Sequence, residues 1–325
     1  MKKFFTCICV CAVLSASCGK AAPPPEESTA PPASESTTAP PASESTTAPP
    51  ASSGEGTPGL PSLTEETLPR IDGSTATIPL GEALVALLLD IPRSEAAKLI
   101  NFSGTNSSYT YLADGIRDLL ISYEPPDEAL RYKEEAEFEW DLAPIGRDAL
   151  VFIVNDSNPV ENITGEQARE IYTGEITNWK ELGGADVEIE PFQRNETSGS
   201  QTLFIKLVMR DVAPMTPDKR YVQAGMAGLI ESVASFNGTG AAIGYSVYYY
   251  AQNMNPADGL KFLGIDGVYP TRETVRDGSY PYVNDFYACV SSAAEADSVQ
   301  RKIFDWLQTD EGRLLIENEG YVSVG

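Results

Sequence analysis

The chain has 325 residues, 42% of them hydrophobic, which is enough for one large or two medium folded domains. Its 47 Asp and Glu outnumber 23 Lys and Arg, and the formal charge of −24 argues against nucleic acid and against direct adhesion to anionic lipid. It contains no histidine, which excludes Ser-His-Asp and Cys-His catalysis and makes a typical zinc site a poor fit.

Met1-Lys2-Lys3 followed by the apolar run Phe4 to Ala16 reads as a secretory signal over residues 1–17, too short to span a membrane as a mature helix. It ends at Leu14-Ser15-Ala16-Ser17-Cys18-Gly19, which resembles a lipoprotein signal with Cys18 as the lipidated first mature residue. The aliphatic residue usual three places before that Cys is Ser15 here. Cys7, Cys9 and Cys11 leave with the signal, and an acylated Cys18 leaves Cys289 without a partner, so no disulfide is expected. Residues 18–69 are predicted to be an extended, Pro/Ser/Thr-rich linker: Glu-Ser-Thr-Thr-Ala-Pro-Pro-Ala-Ser recurs at Glu35–Ser43 and Glu44–Ser52, and such a composition cannot build a core.

The folded part is expected from about Arg70. Apolar helices are predicted over Leu80–Leu89 and Ser94–Ile100, a helix near Tyr109–Gly115, a strand near Leu119–Ser122, and a charged helix over Glu128–Phe138. Asp148–Asn155 is a nearly continuous apolar run, as for a strand buried on both faces. A helix capped by Thr164 runs to Tyr172, and further strands are predicted at Val187–Phe192, Ala242–Tyr245, Leu260–Leu263 and Phe286–Val290. Helices over Val299–Leu307 and Asp310–Asn318 close the chain. Strands alternating with helices indicate an α/β fold with mostly parallel sheets.

Between the strand ending at Phe192 and a helix beginning at Gln201 lies Arg194-Asn195-Glu196-Thr197-Ser198-Gly199-Ser200. At a helix start the first N–H groups lack partners and the dipole is positive. Ser198 and Ser200 add hydroxyls, Gly199 allows close backbone approach, and Arg194 supplies a planar fork of donors. The combination describes a cradle for a small oxyanion, against the simpler alternative that Thr197 or Ser198 only caps the helix. A hydrolase using Ser198 or Ser200 is disfavoured: neither lies in Gly-x-Ser-x-Gly, and Lys206 sits about two turns along the helix.

Taken in order, several blocks from Ile71 to the end resemble the phosphate-binding proteins of bacterial ABC importers, within the type II periplasmic-binding-protein fold. They are Ile71 to Leu80, Val154 to Trp179, Arg194 to Ser200, Ala242-Ile243-Gly244-Tyr245, Asp266 to Thr271, and the terminal Trp306, Glu311-Gly312 and Glu319 to Val322. The resemblance implies a two-lobed α/β fold with two crossing hinge strands, near Asp148–Val154 and Tyr282–Val290. One lobe then comprises 70–151 and 282–325, the other 152–281. It implies a non-enzymatic, monomeric, lipid-anchored receptor outside the cytoplasm, without cofactor or metal, whose partners are inorganic phosphate and an ABC permease. The family's phosphate contacts fall on Thr77, Ile78, Thr105, Arg194, Ser198, Gly199 and Ser200. Where family members have an Asp that accepts a proton from phosphate and so rejects sulfate, this chain has Tyr123-Glu124, and Glu124 is the candidate for that role. Sensing or scaffolding with the same fold, or another oxyanion such as sulfate or molybdate, is the alternative.

Overall fold

The computed structural model describes residues 59–236 and 240–325. The signal, Cys18 and the repeats lie outside the described residues. Packing begins earlier than the expected Arg70: Leu60, Leu63 and Leu68 lie against the hydrophobic core, and the Leu63 N–H donates to the Leu88 carbonyl at 3.2 Å. Three leucines spaced through an otherwise polar stretch anchor it to the first helix, so the linker composition stops short of its predicted end.

The first part of the chain forms β1 (Ile71–Gly73), a tight turn (Thr75–Thr77), α1 (Ile78–Leu89), α2 (Arg93–Leu99), α3 (Thr105–Ala113), β2 (Leu119–Tyr123), α4 (Asp127–Glu135) and β3 (Trp140–Asn155). It continues with β4 (Asn162–Ile163), α5 (Gly165–Thr173), β5 (Glu190–Pro191), β6 (Gln193–Arg194), α6 (Gly199–Leu203), β7 (Val222–Gln223), α7 (Met226–Ser235) and β8 (Ala242–Val247). The last elements are β9 (Leu260–Phe262), β10 (Gly264–Ile265), α8 (Arg272–Arg276), β11 (Val283–Ser291), α9 (Val299–Trp306), α10 (Asp310–Asn318) and β12 (Val322–Ser323).

The main sheet runs β1-β2-β11-β3-β8-β5, with β12 and β9 also on β3. It is mixed where mostly parallel pairing was expected. The β1–β2 and β5–β8 pairs are parallel, whereas β3 is antiparallel to β11, β12, β8 and β9. The cause is the long β3. Its first half, from Trp140 to Ala149, pairs with β11, and its second half, from Leu150 to Asn155, pairs with β8 and β9. One strand thus belongs to two sets of neighbours, and the chain returns beside it along β11. Ala149 to Val154 are fully buried, as their apolar run requires.

Local chemistry fixes the helices that matter. Thr164 and Gln167 form a reciprocal capping box at the start of α5. Pro79 occupies the first turn of α1, where a missing N–H costs nothing. The predicted helix after Ser200 is α6 followed by a π-helical stretch, Phe204–Met209. The Phe204 ring stacks on Tyr245 at 4.3 Å between centroids, which ties that wider stretch to β8. Two helices, α7 and α8, were not expected from the sequence, although Met226, Leu229, Ile230 and Val233 of α7 have helical spacing. Cys289, the cysteine among the described residues, is buried and free.

Candidate functional site

Arg194 ends β6, pairs with Gln223 of β7, and is only 9% exposed. Its backbone N–H is held by the Tyr245 hydroxyl at 3.1 Å and the Gln201 side-chain oxygen at 3.2 Å. Its guanidinium donates from Nε to the Gln223 carbonyl at 3.0 Å, from Nη2 to the Ala224 carbonyl at 3.0 Å, and from Nη1 to Ser200 Oγ at 3.2 Å. Every one of these acceptors is neutral. Among the described residues no carboxylate pairs with Arg194, and the nearby Glu196 is exposed and unbonded to it. Burial lowers its pKa from the ordinary arginine value, but a guanidinium remains charged at physiological pH. A buried cation held only by neutral oxygens leaves its charge available to something else.

That charge opens on a cavity of about 400 Å³. On one side lie Arg194, Asn195, Thr197, Ser198, Gly199 and Ser200, with Ala224 and Met226 at the start of α7. On the other lie Ser74, Thr75, the Ser103–Ser107 turn that opens α3, and Tyr123 at the end of β2. No Asp or Glu is among the lining residues, although the chain as a whole is strongly acidic. Surface charge beyond about 8 Å is screened at physiological salt, so a local cradle of donors can hold an anion in an acidic protein. The two sides meet closely. A Cβ added to Gly199 would fall 2.4 Å from Thr105 Oγ1, so only glycine permits α6 to face α3 at this separation.

Of the residues expected at the site, Thr105, Arg194, Ser198, Gly199 and Ser200 line this one cavity. Thr77 and Ile78 do not line it. The Thr77 hydroxyl is buried and donates to the Ser74 carbonyl at 2.9 Å and the Ile121 carbonyl at 2.5 Å. Ser74 and the exposed Thr75, three residues earlier, line it instead, because the tight turn before α1 points Thr77 into the core. Glu124 is also elsewhere. Its carboxylate pairs with Lys206 in an adjoining groove of about 980 Å³, and Tyr123 is the residue that reaches the cavity. Lys206, in the π-helical stretch, is the cation that draws Glu124 away.

Sequence reading missed the supports behind Arg194. Tyr245 and Gln201 fix its backbone, and the Gln223 and Ala224 carbonyls fix its guanidinium. Tyr245 sits in the block Ala242-Ile243-Gly244-Tyr245, whose aromatic on an otherwise small-residue strand was the available signal. The carbonyls leave no trace in side-chain identity.

Tyr123 is 2% exposed and donates its hydroxyl to Asp148 Oδ2 at 2.6 Å. The other Asp148 oxygen accepts the Ala149 N–H at 2.8 Å and the Tyr249 N–H at 3.0 Å. Burial pushes Asp148 up to about 6, and these three hydrogen bonds to the ionised form hold it from rising further. Across the cavity mouth, Ser103 Oγ donates to Asp72 Oδ2 at 2.7 Å.

Residues 71–309 match the PBP superfamily domain. The chain is 29% identical over 194 residues to the phosphate-binding protein PstS of Borreliella burgdorferi, covering 59% of this chain and 69% of that one. It is 25% identical over 255 residues to PstS of Bacillus subtilis, covering 78% and 80%. A putative phosphate ABC transporter substrate-binding protein with bound phosphate, from Clostridium perfringens, aligns with a TM-score of 0.62 at 26% identity, over 79% of this chain and 99% of that one. The matched domain spans most of the chain and every element of the cavity, from β1 through β11, and the chain belongs to the PBP superfamily.

Proposed function

We propose that this chain is an extracytoplasmic solute-binding protein that captures inorganic phosphate between α3 and α6 and delivers it to an ABC importer. The observation that carries this is Arg194: a buried cation with only neutral partners, facing a cavity of hydroxyls and helix starts with no carboxylate in its lining. Such a site favours a small, densely charged oxyanion. The relatives from Borreliella burgdorferi and Bacillus subtilis bear the name phosphate-binding protein, and the Clostridium perfringens structure carries phosphate, which supports phosphate as the ligand.

In this reading Thr105, Arg194, Ser198, Gly199 and Ser200 contact the anion, with Ser74 and Thr75 in the positions expected of Thr77 and Ile78. Residues 70–151 with 282–325, and residues 152–281, form two lobes that close on the ligand, β3 and β11 being the crossing strands. The division of β3 between two sets of partners supports it. A lipid on Cys18 holds the receptor at the membrane, and residues 18 to about 59 act as its tether. The receptor works as a monomer and does no catalysis.

Calorimetric titration of the purified protein with phosphate tests the ligand. Saturable one-to-one binding that Arg194→Ala abolishes is expected; no binding of phosphate rejects the reading. Deletion of the gene should slow phosphate uptake by cells. Intact uptake alongside intact binding would redirect the role from import to sensing.

A further inference from the structure

Two groups of ion pairs join segments that the two-lobe reading assigns to opposite lobes, and they are built differently. In the first, Arg272 and Arg276 of α8 both reach Glu317 Oε2 of α10 at 2.6 Å. Arg272 also donates to the Tyr321 carbonyl at 2.9 Å, and Glu317 Oε1 accepts the Ser323 N–H at 2.8 Å and the Ser323 hydroxyl at 3.0 Å. Arg147 of β3 ties this cluster to the crossing strands, donating to the Arg276 carbonyl at 3.2 Å and to Asp285 Oδ1 of β11 at 3.1 Å. None of these residues lines the cavity or the groove beside it. Parting the cluster costs several charge-assisted hydrogen bonds at once, so it is a brace beside the hinge.

The second group lies beside the cavity and is a single pair. Glu124 follows Tyr123 at the end of β2, and Lys206 lies in the π-helical stretch after α6. They pair across the adjoining groove, and Arg194, Asn195 and Thr197 line both groove and cavity. Neither side chain has another hydrogen-bonding partner among the described residues, and both are partly exposed. Asp127, Glu128, Arg131 and Glu196 also line the groove, but none pairs with Glu124 or Lys206. An exposed pair of this kind changes an equilibrium by a factor of a few and is screened by salt, so it is made and broken cheaply. It is engaged in the same conformation that sets Gly199 of α6 against Thr105 of α3.

Resting on the reading that phosphate is held between α3 and α6, we propose that Glu124 and Lys206 are a clasp across the cleft: positioning residues that do not touch the anion and slow its release by keeping the two walls together. The α8–α10 brace sits where hinge motion is smallest, and the clasp sits where the cleft must part. The carboxylate that follows Tyr123 therefore acts on the ligand through the opposite wall.

Stopped-flow measurement of phosphate release from the purified protein and its variants is the test. Glu124→Gln and Lys206→Met should each speed release by about threefold, with association unchanged within about twofold, and the double variant should release no faster than either single one. Raising salt to about 1 M, where screening acts within about 3 Å, should erase the difference between wild type and the double variant. Exchanging the charges, Glu124→Lys with Lys206→Glu, should restore slow release. A merely structural role would be neither lost in salt nor rescued by exchange. The clasp is overturned if release does not change, if the two single variants move it in opposite directions, as charges acting directly on the anion would, or if the exchanged pair releases as fast as the neutral double variant. A second readout needs no ligand: the distance between spin labels at Glu134→Cys in α4 and Asp211→Cys beyond the π-helical stretch, both exposed positions, should lengthen or broaden in either clasp variant. Where phosphate binds, release decides. If the wild type binds no phosphate, the phosphate reading fails and this distance decides alone: a change supports the clasp, and identical distributions overturn it.

Discussion

Asp72 and Arg194 are both charges taken out of water, on opposite sides of one cavity, and they are treated differently. Asp72 is fully buried and saturated: it accepts the Gly73 N–H at 2.7 Å, the Ser103 N–H at 2.6 Å and the Ser103 hydroxyl, and pairs with Arg117 at 2.9 Å. Arg194 has three hydrogen bonds to neutral oxygens and no counter-charge. The first is a charge neutralised within the protein, and its work is to hold the β1–α3 corner. The second is a charge kept for a ligand. A charge taken out of water thus marks structure in one place and binding in the other, and its partners tell the two apart.

The largest expected effect breaks the structural half of this comparison. Asp72→Ala strands Arg117 and frees three donors, and should lower unfolding stability by about 3 kcal/mol or more in a denaturant titration. An unchanged midpoint would mean that the β1–α3 corner does not depend on the ion pair. Asp148 sharpens the comparison, since it is an anion with hydrogen bonds and no cation. Its folded value of about 6 lies above that of an exposed carboxylate. The folded state therefore holds the proton more tightly than the unfolded state, so this contribution to stability is present below about pH 4 and is lost as pH rises toward 6. Asparagine does not titrate. The stability of Asp148→Asn relative to wild type should then rise by about 2 kcal/mol between pH 4 and pH 8, whatever the offset at pH 4. A flat difference across that range would show that Asp148 is not held out of water. Arg194→Ala comes next. It should weaken phosphate by about a hundredfold or more while moving unfolding stability by only about 1 kcal/mol. If stability fell instead and affinity held, Arg194 would belong with Asp72.

How much of this was readable in the residues follows the same division. The α6 side was legible because its chemistry is contiguous: Arg194 to Ser200 is one turn between a strand and a helix, and local spacing places all its groups together. The opposite wall is assembled from three separate segments, so its register depends on turns. One tight turn put Ser74 and Thr75, in place of Thr77, on the cavity. Glu124 followed chemical type, but the Lys206 ammonium from another element decided its direction. Asp148 looked like the first residue of an apolar strand, and nothing local announced that Tyr123, 25 positions earlier, would donate to it. The strand and helix pattern was read more completely than the pairing, because periodicity reports burial but not strand direction. Hence the antiparallel surroundings of β3 emerged only from the fold.

The smallest of these effects tests how closely the two walls must meet. Gly199 begins α6 and lies against Thr105 of α3, where an added Cβ would come within 2.4 Å of the Thr105 hydroxyl oxygen and 3.1 Å of its Cβ. The hydroxyl could rotate away, but the β-branched carbon is stiff and buried, so relief needs the two helices to separate. Gly199→Ala should therefore cost about tenfold in phosphate affinity, roughly 1.4 kcal/mol, with the loss appearing as faster release in stopped-flow measurements. Its charge-bearing groups are untouched, so unfolding stability should stay within about 0.5 kcal/mol. The double variant Gly199→Ala, Thr105→Ser should recover part of that affinity, because a serine without the β-branch can turn its hydroxyl away from the added methyl, which the stiff threonine does not. If the second change adds to the first instead, Thr105 contacts the anion through geometry that its methyl helps to hold, and the separation of the walls is not what limits binding.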